Sequence, residues 1–181
     1  MTLYEIRKII KTSELDRPNC RSEARQFLCS LSNNYQVALT LTLNQKWFDK
    51  CGLMRVEHYL KSEDIPFIYA RFQHKLNKLI WKNKYIRFGE SVNFLRAWED
   101  GQGSKRIHLH AALGNFPIDF RLNKLPSLIE KASKQCCEID FQHKERICDS
   151  GWIEYITKEV GKKDTDKILW WCHKCVNDRN S

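Results

Sequence analysis

The chain has no apolar run of roughly eighteen residues, so it offers no membrane-spanning helix. It carries no Gly-x-x-x-x-Gly-Lys-Ser/Thr loop, which excludes a P-loop nucleotide motor. No internal repeat or low-complexity segment is present, so solenoid and tail-like architectures fall away. The segment Met1–Lys11 is amphipathic and charged and lacks the apolar heart and small-residue cleavage site of a secretory signal. Eight cysteines are present, but Cys20, Cys29, Cys51 and Cys148 are scattered and Cys136 and Cys137 are adjacent. Cys172-His173-Lys174-Cys175 has no second cysteine pair at zinc-ribbon spacing, and a structural zinc needs four ligands. The expectation is reduced thiols in a cytoplasm rather than a secreted disulfide framework.

Acidic charge is also short. Lysine and arginine number 31 against 22 aspartates and glutamates, a net charge of +9. That balance points to an anionic partner, nucleic acid first and a membrane surface second. At 181 residues one domain with a sizeable core is expected, spanning 1–181.

The most informative stretch is Lys105-Arg-Ile-His-Leu-His-Ala-Ala-Leu113. It alternates as a strand does, with Ile107, Leu109, Ala111 and Leu113 on one face and His108, His110 and Ala112 on the other. Two imidazoles on one strand face stand roughly 6–7 Å apart, within reach of one metal ion. The wholly aliphatic opposite face predicts a central strand.

The remaining elements follow from periodicity. A loose helical leader occupies residues 1–20, and Arg21–Ser32 carries an i, i+3, i+4, i+7 stripe of Ala24, Phe27, Leu28 and Leu31. Tyr35–Leu43 is a core strand, with Leu39, Leu41 and Leu43 set against Thr40 and Thr42. The run from Trp47 to Leu60 fits neither period clearly. Pro66–Lys82 is helical, and Pro66 suits a first turn. Ser91–Glu99 is a strand, Asp100–Ser104 a turn cluster and Lys105–Leu113 the next strand, an antiparallel hairpin that puts Glu99 near the imidazole face. Pro126–Cys137 is a helix and Ile139–Ile147 a strand. A last helix, Trp152–Val160, starts at an Asp149/Ser150 cap and ends at Gly161. Its stripe is Trp152, Ile156 and Val160, with Tyr155 and Lys158 as i, i+3 neighbours on one flank. The tail Lys167–Trp171 fits an edge strand or a short helix. The series βαββαβ predicts an α+β fold with an antiparallel, ferredoxin-like central sheet and helices mainly on one face.

Three features now stand in order: the strand Leu39-Thr-Leu-Thr-Leu43, the hairpin carrying His108-Leu109-His110, and the helix carrying Tyr155-Ile-Thr-Lys158. This combination resembles the HUH endonuclease superfamily, and within it the single-tyrosine initiators of rolling-circle plasmids, phages and small single-stranded DNA viruses. His108, Leu109 and His110 match the His-hydrophobic-His motif. Tyr155 and Lys158 match Tyr-x-x-Lys, and residues 39–43 match the first motif loosely. The likeness covers about 36–162, with the domain core near 35–162, a helical leader before it and an extension after it. It implies a metal-dependent single-stranded DNA nickase that stores the cut as a 5′-phosphotyrosine on Tyr155, with Lys158 assisting, and so initiates rolling-circle replication.

The resemblance also implies Mn²⁺ or Mg²⁺ on His108, His110 and a third polar ligand, a donor set that suits either ion. Glu99 is the first choice for that ligand and Glu90 the second. Thr40, Thr42 and Arg106 are the candidate DNA contacts. The implied partners are single-stranded DNA at an origin hairpin and a host helicase and polymerase, with no membrane partner. The implied location is the cytoplasm, or the nucleus for a eukaryotic virus.

Rival readings meet specific obstacles. A histidine-triad hydrolase wants a third His where Ala112 stands, and a metallo-β-lactamase site wants Asp and His where Ala112 and Leu113 stand. HUH transposases usually show Tyr-x-x-x-Gln, and position 159 is Glu. Conjugative relaxases place the tyrosine before the histidines. A non-catalytic ferredoxin-like nucleic-acid-binding module remains the alternative outside enzymology, although the RRM aromatic signature is absent.

Overall fold

The structure, a computed structural model, describes residues 18–51, 54–99 and 106–158. The predicted leader before Pro18, the 100–104 turn, the Gly161 cap, the Lys167–Trp171 tail and the Cys172/Cys175 pair lie outside the described residues.

The elements in chain order are α1 (Pro18–Ser30), β1 (Val37–Leu43), β2 (Lys46–Cys51), β3 (Met54–Tyr59), α2 (Ile65–Ile80), α3 (Asn83–Phe88), β4 (Asn93–Glu99), β5 (His108–Gly114), α4 (Leu125–Ser133), β6 (Ile139–Ile147) and α5 (Ser150–Ile156). The fold is α+β. Its central sheet has four strands in the order β4-β5-β1-β6, every pair antiparallel. A separate two-stranded ribbon, β2-β3, follows β1. It occupies the run that periodicity left unassigned, because both its strands are short and carry polar residues on both faces.

Two apolar layers sandwich the sheet. On one side Leu39, Leu41, Leu43, Leu109, Ala111 and Leu113 pack against Tyr69, Phe72 and Leu76 of α2 and Ile129 and Ala132 of α4. Full burial of a leucine side chain stabilises by about 1.5–3 kcal/mol, so this layer is the main source of stability. On the other side Ala38, Leu95, Ala97 and Ala112 meet Ala24 and Leu28 of α1 and Trp152, Ile153 and Ile156 of α5. Helices therefore cover both faces, which corrects the one-face expectation. The small side chains on the second sheet face leave room for α1 and α5 to approach.

Three boundaries also shift. The helix expected over 126–137 ends at Ser133, and Cys136 bonds through its backbone N–H to the Ser133 carbonyl. A short helix, α3, follows Lys82, whose φ of 50° breaks the helical path after α2. The last helix ends at Ile156, with Thr157 N–H on Ile153 O. Gly114 closes β5 where the chain passes the Asn34 carbonyl, and a Cβ there would collide with that carbonyl.

Candidate active site

The register of the sheet builds the site. Across β4 and β5, Glu99 lies opposite His108 and Ala97 opposite His110. Across β5 and β1, Thr42 lies opposite His108 and Thr40 opposite His110. Across β1 and β6, Thr40 lies opposite Lys144 and Ala38 opposite Arg146. Residues opposite one another share a face, so Glu99, both histidines, both threonines, Lys144 and Arg146 project from one side of the sheet. The imidazole centroids are 6.2 Å apart.

Both rings are held from behind. Thr40 Oγ1 is 3.1 Å from His110 Nδ1, and Thr42 Oγ1 is 3.3 Å from His108 Nδ1. Fixing Nδ1 leaves Nε2 of each ring for the front of the site, the arrangement by which supporting residues orient metal-binding imidazoles. The indole of Trp152 stands edge-on to His110 at 5.4 Å, and its Nε1–H donates to Ala111 O at 2.9 Å. Asp149 caps α5 by accepting Trp152 N–H at 2.7 Å, so the cap that starts the helix also seats the indole.

Glu99 gathers the remaining groups. Its Oε2 is 3.2 Å from His110 Nε2 and accepts the Tyr155 hydroxyl at 2.7 Å. Its Oε1 accepts from Lys158 Nζ at 2.7 Å. Lys158 Nζ also lies 4.0 Å from the centre of the Tyr155 ring. Glu99, Tyr155, both histidines and both threonines line an open cleft of about 1110 Å³.

The electrostatics follow from these contacts. Partial burial alone would raise Glu99, but Lys158, Tyr155 and His110 hold its carboxyl down at about 2. Burial lowers His110, against the pull of Glu99, and favours the neutral imidazole that a metal requires. Burial and Glu99 both raise Tyr155, while Lys158 pulls it back. Lys158 is raised despite its burial, because Glu99 and Tyr155 favour its charge.

The two imidazole nitrogens and the Glu99 carboxylate suit a hard divalent cation by donor chemistry. As the side chains stand, no three His, Cys, Asp or Glu groups among the described residues are poised around one point. The Glu99 oxygens face Tyr155, Lys158 and His110.

His108, His110, Glu99, Tyr155, Lys158, Thr40 and Thr42 thus lie in one neighbourhood, and the two threonine hydroxyls contact imidazoles. Glu99 meets the ring of His110, one residue further along than its register partner His108. Arg106 is turned to Asp140 in an ion pair. Glu90 precedes β4, away from the histidine end of that strand. Sequence reasoning missed Lys144 and Arg146, although their period-two spacing on a predicted strand was the available signal. Arg146 lies 5.0 Å from the centre of the Trp152 ring. No protein-family model, curated protein or solved structure matches the chain.

Proposed function

We propose that the chain is a metal-dependent single-stranded DNA nickase and strand-joining enzyme of the HUH type, acting at a replication origin. The observation that carries this reading is the cluster in which Glu99 bonds Tyr155, Lys158 and His110 together. A phenol, an ammonium, a carboxylate and an oriented imidazole pair seldom share one cleft without chemical purpose. The strand order β6-β1-β5-β4, with β2-β3 taken as an inserted ribbon, supports a ferredoxin-like reading of the sheet.

In this reading His108, His110 and Glu99 would hold Mn²⁺ or Mg²⁺, which would supply charge neutralisation at the scissile phosphate. Thr40 and Thr42 keep the imidazoles aimed. Tyr155 Oη attacks phosphorus, a Tyr–O–P bond forms and the P–O3′ bond breaks. The phenol proton ends on the released 3′-hydroxyl. One phosphodiester replaces another, so rejoining by the reverse step needs no ATP. Lys158 favours the phenolate as the proton leaves. Lys144 and Arg146 line the cleft wall as cations for the flanking backbone. Unwinding and synthesis fall to a host helicase and polymerase.

The test is a strand-transfer assay with two differently labelled origin oligonucleotides and Mn²⁺. The reading expects a joined hybrid strand that EDTA and Tyr155→Phe each abolish. Metal-independent binding without cleavage or joining would instead favour a non-catalytic nucleic-acid-binding module.

A further inference from the structure

A second cleft lies on the other side of the sheet, and its chemistry does not depend on the nickase reading. It is formed where α2 ends, α3 begins, the 117–124 segment turns and α4 passes, and it encloses about 540 Å³. That volume fits a nucleotide-sized ligand. Ile80 and Trp81 at its floor belong to the layer beneath Leu109 and Ala111, opposite the imidazole face.

Its lining is cationic. Lys82, Lys84, Arg121 and Lys124 all border it and are exposed, against one carboxylate, Asp119. Among the described residues none of the four cations forms an ion pair. Four unneutralised cations around a concavity concentrate positive potential there.

A second feature is independent of charge. Trp81 lines the same cleft, is 9% exposed, and its Nε1–H has no hydrogen-bond partner. An indole N–H can only donate, and a buried donor left unpaired is costly enough to be rare in folded proteins. Phe120, stacked on Phe116 at 5.3 Å, gives the cleft an aromatic wall.

We infer that this cleft binds the phosphate group of a nucleotide, either free or within a single-stranded nucleic acid. The cations meet the phosphate oxygens, and the Trp81 ring beside them reports the arrival of the ligand.

The test follows the indole N–H resonances of the full chain by ¹⁵N–¹H correlation, with the Trp81 signal identified from Trp81→Phe. Two probes are titrated separately, thymidine 5′-monophosphate and an eight-residue oligothymidylate. The inference expects saturable movement of the Trp81 signal with at least one probe. Response to the mononucleotide identifies a free-nucleotide site, and response to the oligomer alone identifies a strand-binding site. Lys82→Glu with Arg121→Glu, both at exposed positions, should weaken that response about tenfold or more. His108→Ala, on the opposite face, should leave it unchanged, so failure here and failure of the nickase reading are read separately. An unmoved Trp81 signal at millimolar concentrations of both probes overturns the inference, as does equal affinity in the double variant.

Discussion

The Tyr155 hydroxyl donates to Glu99 Oε2 at 2.7 Å across 56 residues of chain. The contact joins the end of a sheet strand to a helix on its second face. It holds the phenol beside the imidazole pair, and it also holds the phenol proton in place, because a neighbouring carboxylate disfavours phenolate.

Opposing charges on Tyr155 should therefore be separable in the metal-free protein. Glu99→Gln should lower the Tyr155 pKa, and Lys158→Met should raise it further. Titration of the ring carbon bearing the hydroxyl by ¹³C NMR checks both directions. Movement of both variants the same way would contradict the assigned contacts.

Acid should destabilise the metal-free chain in two stages. His110 is held below its ordinary 6.5, so the unfolded chain takes up that proton first and stability declines as pH falls below about 6.5. Glu99 is held at about 2 against an ordinary 4.5, so its contribution is complete above 4.5 and is lost as pH falls toward 2. Urea midpoints measured in EDTA from pH 7.5 to pH 3 should fall along this path. Glu99→Gln should flatten the lower stage and deepen the upper one, because the Glu99 charge opposes the lowering of His110.

The threonines should matter through the rings they hold. Thr40→Val with Thr42→Val removes both hydroxyl contacts to Nδ1 while keeping side-chain shape. Mn²⁺ affinity, measured by calorimetry, should drop about 10–100-fold with little change in thermal stability. An unchanged affinity would return these residues to the role of DNA contacts.

Trp152 couples the helix to the sheet. Trp152→Phe removes the indole bond to Ala111 O, a carbonyl the β1–β5 ladder still engages, a loss of about 1 kcal/mol by urea unfolding. Asp149→Ala removes the helix cap and should cost about 1 kcal/mol. Each variant should also reduce strand joining, since α5 carries Tyr155.

Much of this arrangement was legible from residue patterns alone. The alternation in 105–113 marked both a central strand and its polar face, and the same rule put Glu99 beside the histidines. The Asp149 cap and the Tyr155/Lys158 pair followed from helix geometry. Other features resisted. None of the described side chains of the β2–β3 ribbon is buried, so it lacks the alternation that marks a half-buried strand. The break at Lys82 rests on a left-handed backbone that a lysine does not announce. Which faces the helices cover depended on alanines at 38, 97 and 112, whose small size permits a packing that periodicity does not specify. The bonding of Glu99 to His110 rather than to its register partner depends on side-chain reach, which strand alternation does not encode.

The most direct test is intact-protein mass spectrometry after incubation with single-stranded origin DNA and Mn²⁺, followed by peptide mapping. The account predicts a covalent adduct with the mass of the downstream fragment, mapped to the peptide carrying Tyr155 and absent in Tyr155→Phe. DNA cleaved by the wild-type chain with no adduct on Tyr155, or an adduct that persists in Tyr155→Phe, would contradict it.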